Sequence, residues 1–199
     1  MRVYQALILL AVAAAPVVAM ADDVNLSTGT ATYSVSFNGG ATSTAVDSTA
    51  NPAWTASIPG AVWINTSGSG TTNVPDGSYV YTTTFTLSSL SNLSGSFASD
   101  NAATALLSGG SIVGTDTLGS NVFADSFTTA TAFSMADLGP GMYTLTFDLA
   151  NGPGTGADPS GLLVGASTVT ATPEPSSLAL LGTGLLGAAG IARRRFFSR

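Results

Sequence analysis

Two stretches of this chain alternate so regularly that they leave little choice of secondary structure. Tyr79, Tyr81, Thr83, Phe85 and Leu87 share one side of the first, and Tyr143, Leu145, Phe147 and Leu149 share one side of the second, with smaller or polar residues between them. A period of two places one face in a core and the other in water, as in an antiparallel sheet. No helical periodicity is sustained over ten residues between Tyr33 and Thr170. Further strands are predicted at Tyr33 to Phe37, Ala61 to Asn65, Leu93 to Ser99, Ala102 to Leu107, Ser126 to Phe133 and Gly161 to Val169. Turn chemistry separates them at Asn38-Gly39-Gly40, Asp76-Gly77, Gly109-Gly110 and Gly139-Pro140-Gly141. The spacing predicts an all-β, two-sheet sandwich with jelly-roll-like connectivity for residues 22–172.

Charge separates this middle region from the two ends. The five basic residues are Arg2, Arg193, Arg194, Arg195 and Arg199, so nothing between Asp22 and Thr172 is cationic. The same region holds ten aspartates, and the single glutamate, Glu174, lies beyond it. Such a domain cannot release counterions from phosphates, which excludes nucleic acid as a partner. It cannot form side-chain salt bridges either, so its fold rests on apolar burial and backbone hydrogen bonds. The chain has no cysteine and no histidine. That removes disulfides, thiolate chemistry and the commonest general base, and it points to a non-catalytic protein.

Both ends read as export signals. Residues 1–21 begin with Arg2, continue through an apolar run from Ala6 to Val18, and finish on Ala19-Met20-Ala21 before Asp22-Asp23. Small residues at Ala19 and Ala21 set up cleavage by signal peptidase after Ala21. In residues 173–199, Pro173-Glu174-Pro175 precedes an uncharged helix predicted over residues 176–192 and a basic end at residues 193–199. The charge-free span from Pro175 to Ala192 reaches ~27 Å as a helix, close to the ~30 Å hydrocarbon core. Arg193, Arg194 and Arg195 then stay on the cytoplasmic side and stop transfer, leaving the middle domain outside. The two prolines fix φ and lack N–H donors, which keeps the motif extended and accessible to a protease.

The run Thr172-Pro173-Glu174-Pro175-Ser176-Ser177-Leu178-Ala179-Leu180-Leu181-Gly182, ending in Ile191-Ala192-Arg193-Arg194-Arg195, resembles the PEP-CTERM sorting domain. The resemblance implies recognition by exosortase, a membrane protease, and cutting near Pro173, Glu174 and Pro175. It implies export across the inner membrane, transient anchoring, and release to the cell surface or extracellular matrix. The segment from Trp54 to Val169 also resembles a galactose-binding-like jelly roll. The residues that carry this are Asp76-Gly77-Ser78-Tyr79-Val80-Tyr81, Phe97-Ala98-Ser99-Asp100-Asn101, Tyr143-Thr144-Leu145-Thr146-Phe147 and Pro159-Ser160-Gly161-Leu162.

Two roles for the mature domain follow: a non-catalytic component of the surface or exopolysaccharide matrix, or a carbohydrate-binding module. The candidate ligand contacts are Asp100, Asn101 and Trp54. Asp100-Asn101 offers the oxygen donors that Ca2+ takes from loops, although no D-x-D-x-D-G loop is present. Trp54, after Asn51-Pro52-Ala53, stands in a less apolar setting than Trp63 and either stacks on a sugar or packs in a core, with core packing favoured. No other cofactor is expected.

Overall fold

The computed structural model describes residues 23–49, 51–121, 126–152 and 158–170, together with 182–184 and 187 of the tail. The chain divides into one unit, Asp22–Ala171, and a second made of Met1–Ala21 with Thr172–Arg199. The expected leader and most of the expected membrane helix lie outside the described residues. Among the described residues no helix is long and apolar enough to cross a membrane.

The first unit is all-β. Its strands are β1 (Ser34–Phe37), β2 (Thr42–Thr44), β3 (Val46–Asp47), β4 (Ile64–Asn65), β5 (Gly77–Leu87), β6 (Ser91–Asp100), β7 (Ala102–Gly109), β8 (Thr115–Ser120), β9 (Thr131–Leu138), β10 (Gly141–Asn151) and β11 (Gly161–Thr170). They form a six-stranded sheet, β2-β1-β5-β10-β7-β8, and a five-stranded sheet, β3-β4-β11-β6-β9. Every strand pairing is antiparallel. From β4 onward the chain crosses between sheets at nearly every connection, with β7 to β8 the one exception, as jelly-roll connectivity requires.

The alternating runs become the sandwich interior. Tyr81, Leu145, Phe147 and Leu107 from the larger sheet meet Phe97, Leu93, Leu162 and Val164 from the smaller, all fully buried. Phe147 lies 5.3 Å from Phe97 and 6.0 Å from Phe133, ring centre to ring centre, so it bridges the two sheets. The N-terminal segment completes the smaller sheet: Leu26 and Thr28 N–H groups donate to the Ala166 and Val164 carbonyls of β11. At the β1–β2 turn, Asn38 and Gly39 take left-handed φ values of 48° and 69°. The Gly40 N–H closes this turn onto the Phe37 carbonyl, the chemistry expected for Asn-Gly.

Three expectations about strands need correction. The strand placed at Ser126 to Phe133 starts at Thr131 and runs to Leu138, because residues 126–129 are turn. There the Ser126 and Phe127 carbonyls accept from Ser99 and Ala56, and these bonds hold the backbone out of the ladder. The apolar spacing then breaks at Asp137, whose φ of 58° and a register shift against β6 turn Leu138 inward. Ala61 to Asn65 pairs only at Ile64–Asn65. Strands β2, β3 and β8 were not anticipated; they are short, exposed edges rich in Thr, Ser and Asp, without apolar alternation.

Candidate functional site

Where β6 ends, the outer face of the smaller sheet is covered rather than exposed. The loop over residues 51–63 crosses it and lays down Trp54, Ile58 and Trp63 against Ala98 and Leu163, with Phe127 at the side. The strands leave room for them. A Cβ on Gly161 would sit 2.5 Å from the Trp54 ring, and one on Gly165 would sit 2.2 Å from Ile58. Both glycines occupy outward positions of β11, so the sheet is flat where the loop lies down. Trp54 stacks on Trp63 at 4.5 Å. Asn51 fixes the approach, accepting from the Ala53 N–H at 2.9 Å and donating to the Gly70 carbonyl at 2.6 Å.

Asp100 lies beneath this cover. Its Oδ2 accepts the Trp54 indole N–H at 2.7 Å, and its Oδ1 accepts from the Asn101 side chain at 2.9 Å. The Asn101 Oδ1 accepts in turn from the Gly152 N–H at 3.1 Å. Asn121 joins β6 to β7 beside them, donating to the Ser99 hydroxyl at 2.9 Å and accepting from the Ala103 N–H at 2.6 Å. The structure therefore brings Trp54, Asp100 and Asn101 into one cluster. Trp54 and Asp100 are each only 6% exposed, so they are committed to one another rather than offered to solvent.

Burial pushes the Asp100 carboxyl up to about 6; the Trp54 N–H opposes this and the nearby charge of Asp158 adds to it. Asp158 is raised as well, by burial and then by Asp76. Asp158 thus feels Asp76 and is felt by Asp100, with no cation among the described residues to relieve either repulsion. A carboxyl whose folded pKa exceeds its unfolded value takes up a proton on folding. Stability from Asp100 is therefore fully present below about pH 4 and is lost as pH rises through about 6. Asp100→Asn keeps an acceptor for Trp54 and removes the charge. It is expected to gain about 1 to 2 kcal/mol over the parent near pH 7, with the difference vanishing toward pH 4. Denaturant melts across that range check this, and a pH-independent difference would contradict it.

Among the described residues no three of His, Cys, Asp and Glu are gathered to hold a metal ion. Two surface depressions of about 460 and 450 Å³ do not include Trp54, Asp100 or Asn101, although the first borders the outer cluster at Ile58 and Gly165. The larger opens between Asp23, Asn25, Ile58, Pro59, Ser94 and Ser167, and neither presents an aromatic ring. Sequence reasoning named Trp54 and Asp100 without pairing them. The signal that could have done so is glycine at outward positions 161 and 165 of an otherwise apolar strand, which marks close approach by another segment.

Pro173, Glu174, Pro175 and Arg193 to Arg195 lie outside the described residues, as do Ala19 and Ala21. Residues 171–195 match the model of the PEP-CTERM protein-sorting motif. No curated protein matches the chain. Among solved structures it is similar to the complex of TmCBM61 with β-1,4-galactotriose, at 11% identity over 70% of this chain and 88% of that one, with a TM-score of 0.45. It is similar also to a GH2 β-galacturonidase from Eisenbergiella tayi, at 14% identity and a TM-score of 0.43, with 77% of this chain covered but only 25% of that enzyme. A third is CBM35 from Cellvibrio japonicus Abf62, at 15% identity over 76% of this chain and 95% of that one, with a TM-score of 0.35. The chain is an all-β, jelly-roll-like sandwich that carries a PEP-CTERM protein-sorting motif at residues 171–195.

Proposed function

We propose that this is an exported, non-catalytic protein of the cell surface or exopolysaccharide matrix, delivered there by processing of its tail. The observation that carries the reading is the sorting motif, which begins at residue 171, directly after β11 ends at Thr170. Signal peptidase removes residues 1–21, the helix over 176–192 holds the precursor in the membrane, and exosortase cuts near Pro173-Glu174-Pro175. The absence of histidine, cysteine and lysine supports a non-catalytic role. So does Asp100, whose two oxygens already accept hydrogen bonds.

Pulse-chase labelling with mass analysis tests this in a cell that carries exosortase. The parent chain is expected to lose residues 176–199, while the triple variant Pro173→Ala, Glu174→Ala, Pro175→Ala stays full length in the membrane. A mature species that keeps residues 176–199 would overturn the reading. Extracellular polysaccharide is the partner this role implies. Use as a carbohydrate-binding module would need surfaces other than the described Trp and Tyr rings, since Trp54, Trp63, Tyr33, Tyr79, Tyr81 and Tyr143 are all buried. Calorimetric titration of matrix polysaccharides into the processed protein separates the two roles.

A further inference from the structure

We propose that one end of the sandwich is a lipid-facing tip, with which the precursor rests on a zwitterionic membrane surface while its tail is still attached. This rests on the sorting-tail reading above. The end in question is the one toward which β11 runs, where Thr170 pairs with Ser91 at the start of β6. The N-terminal segment leaves at the same end. The Val24 N–H donates to the Thr168 hydroxyl at 3.0 Å, and the Val24 carbonyl accepts from the Thr168 N–H at 3.0 Å. Both apolar export segments are thus joined to the domain at neighbouring points.

That end is built from three connections: residues 88–90 between β5 and β6, 110–114 between β7 and β8, and 139–140 between β9 and β10. None contains an ionisable side chain. Six large apolar side chains are exposed among the described residues, and four of them are here: Leu90 at 46%, Val113 at 100%, Met142 at 67% and Val169 at 53%. Asp76, Asp100 and Asp158 belong to the opposite end, where β5 and β11 begin and β6 finishes, while Asp23, Asp116 and Asp137 form an acidic border around the tip, the Asp137 N–H donating to Asn92, the register partner of Val169. The tip is also tied together. The Tyr143 hydroxyl donates to the Gly139 carbonyl at 2.8 Å and accepts from the Ser111 N–H at 3.2 Å, which joins two of the connections.

An apolar tip would ordinarily be a liability on an exported domain. Here the chain supplies its cover. From Thr170 to Leu178, where the apolar run of the tail starts, the backbone can span at most roughly 28 Å. The tip is therefore held at the headgroup layer, where apolar side chains gain by shallow burial. A zwitterionic surface fits because a domain of aspartates without cations is repelled by anionic lipid.

The chain has no cysteine, so Val113→Cys and Val46→Cys each provide a single site for an environment-sensitive fluorophore. Val46 lies at the opposite end, on β3, beside Asn65. The full chain is reconstituted in phosphatidylcholine vesicles containing a headgroup-depth nitroxide lipid. The label at 113 is expected to lose most of its emission, and the label at 46 little. Adding Leu90→Asp and Met142→Asp to Val113→Cys is expected to restore emission without changing the melting temperature. Equal quenching at 113 and 46, or quenching at 113 that survives the two aspartates, would overturn the tip. A chain that fails to float with the vesicles would instead sink the sorting-tail reading, and this inference with it.

Discussion

Phe147→Ala is expected to lower the stability of the sandwich by about 3 to 5 kcal/mol, the cost of emptying a large aromatic site that cannot collapse. Phe147 is fully buried on β10, the strand between β5 and β7, and its ring meets Tyr33, Phe97 and Phe133. The contacts with Phe97 and Phe133 cross between sheets, so the cavity would open at the seam that holds the two layers together. A domain of this size is stable by only about 5 to 15 kcal/mol, so the variant would approach unfolding at ordinary temperatures. Phe147→Leu, which keeps much of the volume, should cost clearly less. Denaturant titration checks both: the midpoint should fall with the slope unchanged, and a near-parental midpoint for the alanine variant would mean that the site is not tightly packed.

Trp54→Ala should cost about 3 kcal/mol by a different route. The indole covers Gly161, stacks on Trp63 and donates to Asp100, so its removal opens the outer cluster and leaves a buried carboxylate oxygen without its donor. Trp54→Phe keeps most of the stacking and loses only the hydrogen bond, which separates the two contributions. In Trp54→Phe, with the opposing N–H gone and the burial largely kept, the Asp100 carboxyl should rise further, and the loss of stability with rising pH should extend to higher pH. The double variant Trp54→Ala, Asp100→Asn is expected to be more stable than the sum of the single changes predicts, by about 0.5 to 2 kcal/mol. Strict additivity would show that the two side chains do not depend on each other.

The interior of the fold was legible because period-two alternation is a direct record of which face is dry. Tyr79 to Leu87 and Tyr143 to Leu149 became the two central strands of the larger sheet, paired in register over their whole length. Edge strands left no such record. Thr42–Thr44 and Thr115–Ser120 bury almost nothing, and their pairing is decided by the strand beside them. The outer cluster was hidden for a related reason. A sandwich strand is expected to face water on one side, yet Ala98 and Leu163 face a returning loop, and only tertiary structure brings Trp54 and Asp100 from 46 positions apart into contact. The PEP-CTERM motif was the most readable part of all, since it is written in linear order and charge rather than in tertiary contacts.

The pairing of residues 24–28 with β11 joins the first described segment of the domain to its last. Because β11 also lies in the middle of its sheet, between β4 and β6, a nascent chain holds neither a finished layer nor a fixed beginning until the final ten residues before the tail have been made. Closure is then a single late event, driven by contacts far apart in sequence and correspondingly slow. A truncation that removes β11 would thus part β3, β4 and residues 24–28 from β6 and β9 at once, and the product would be an open, sticky intermediate rather than a shorter sandwich.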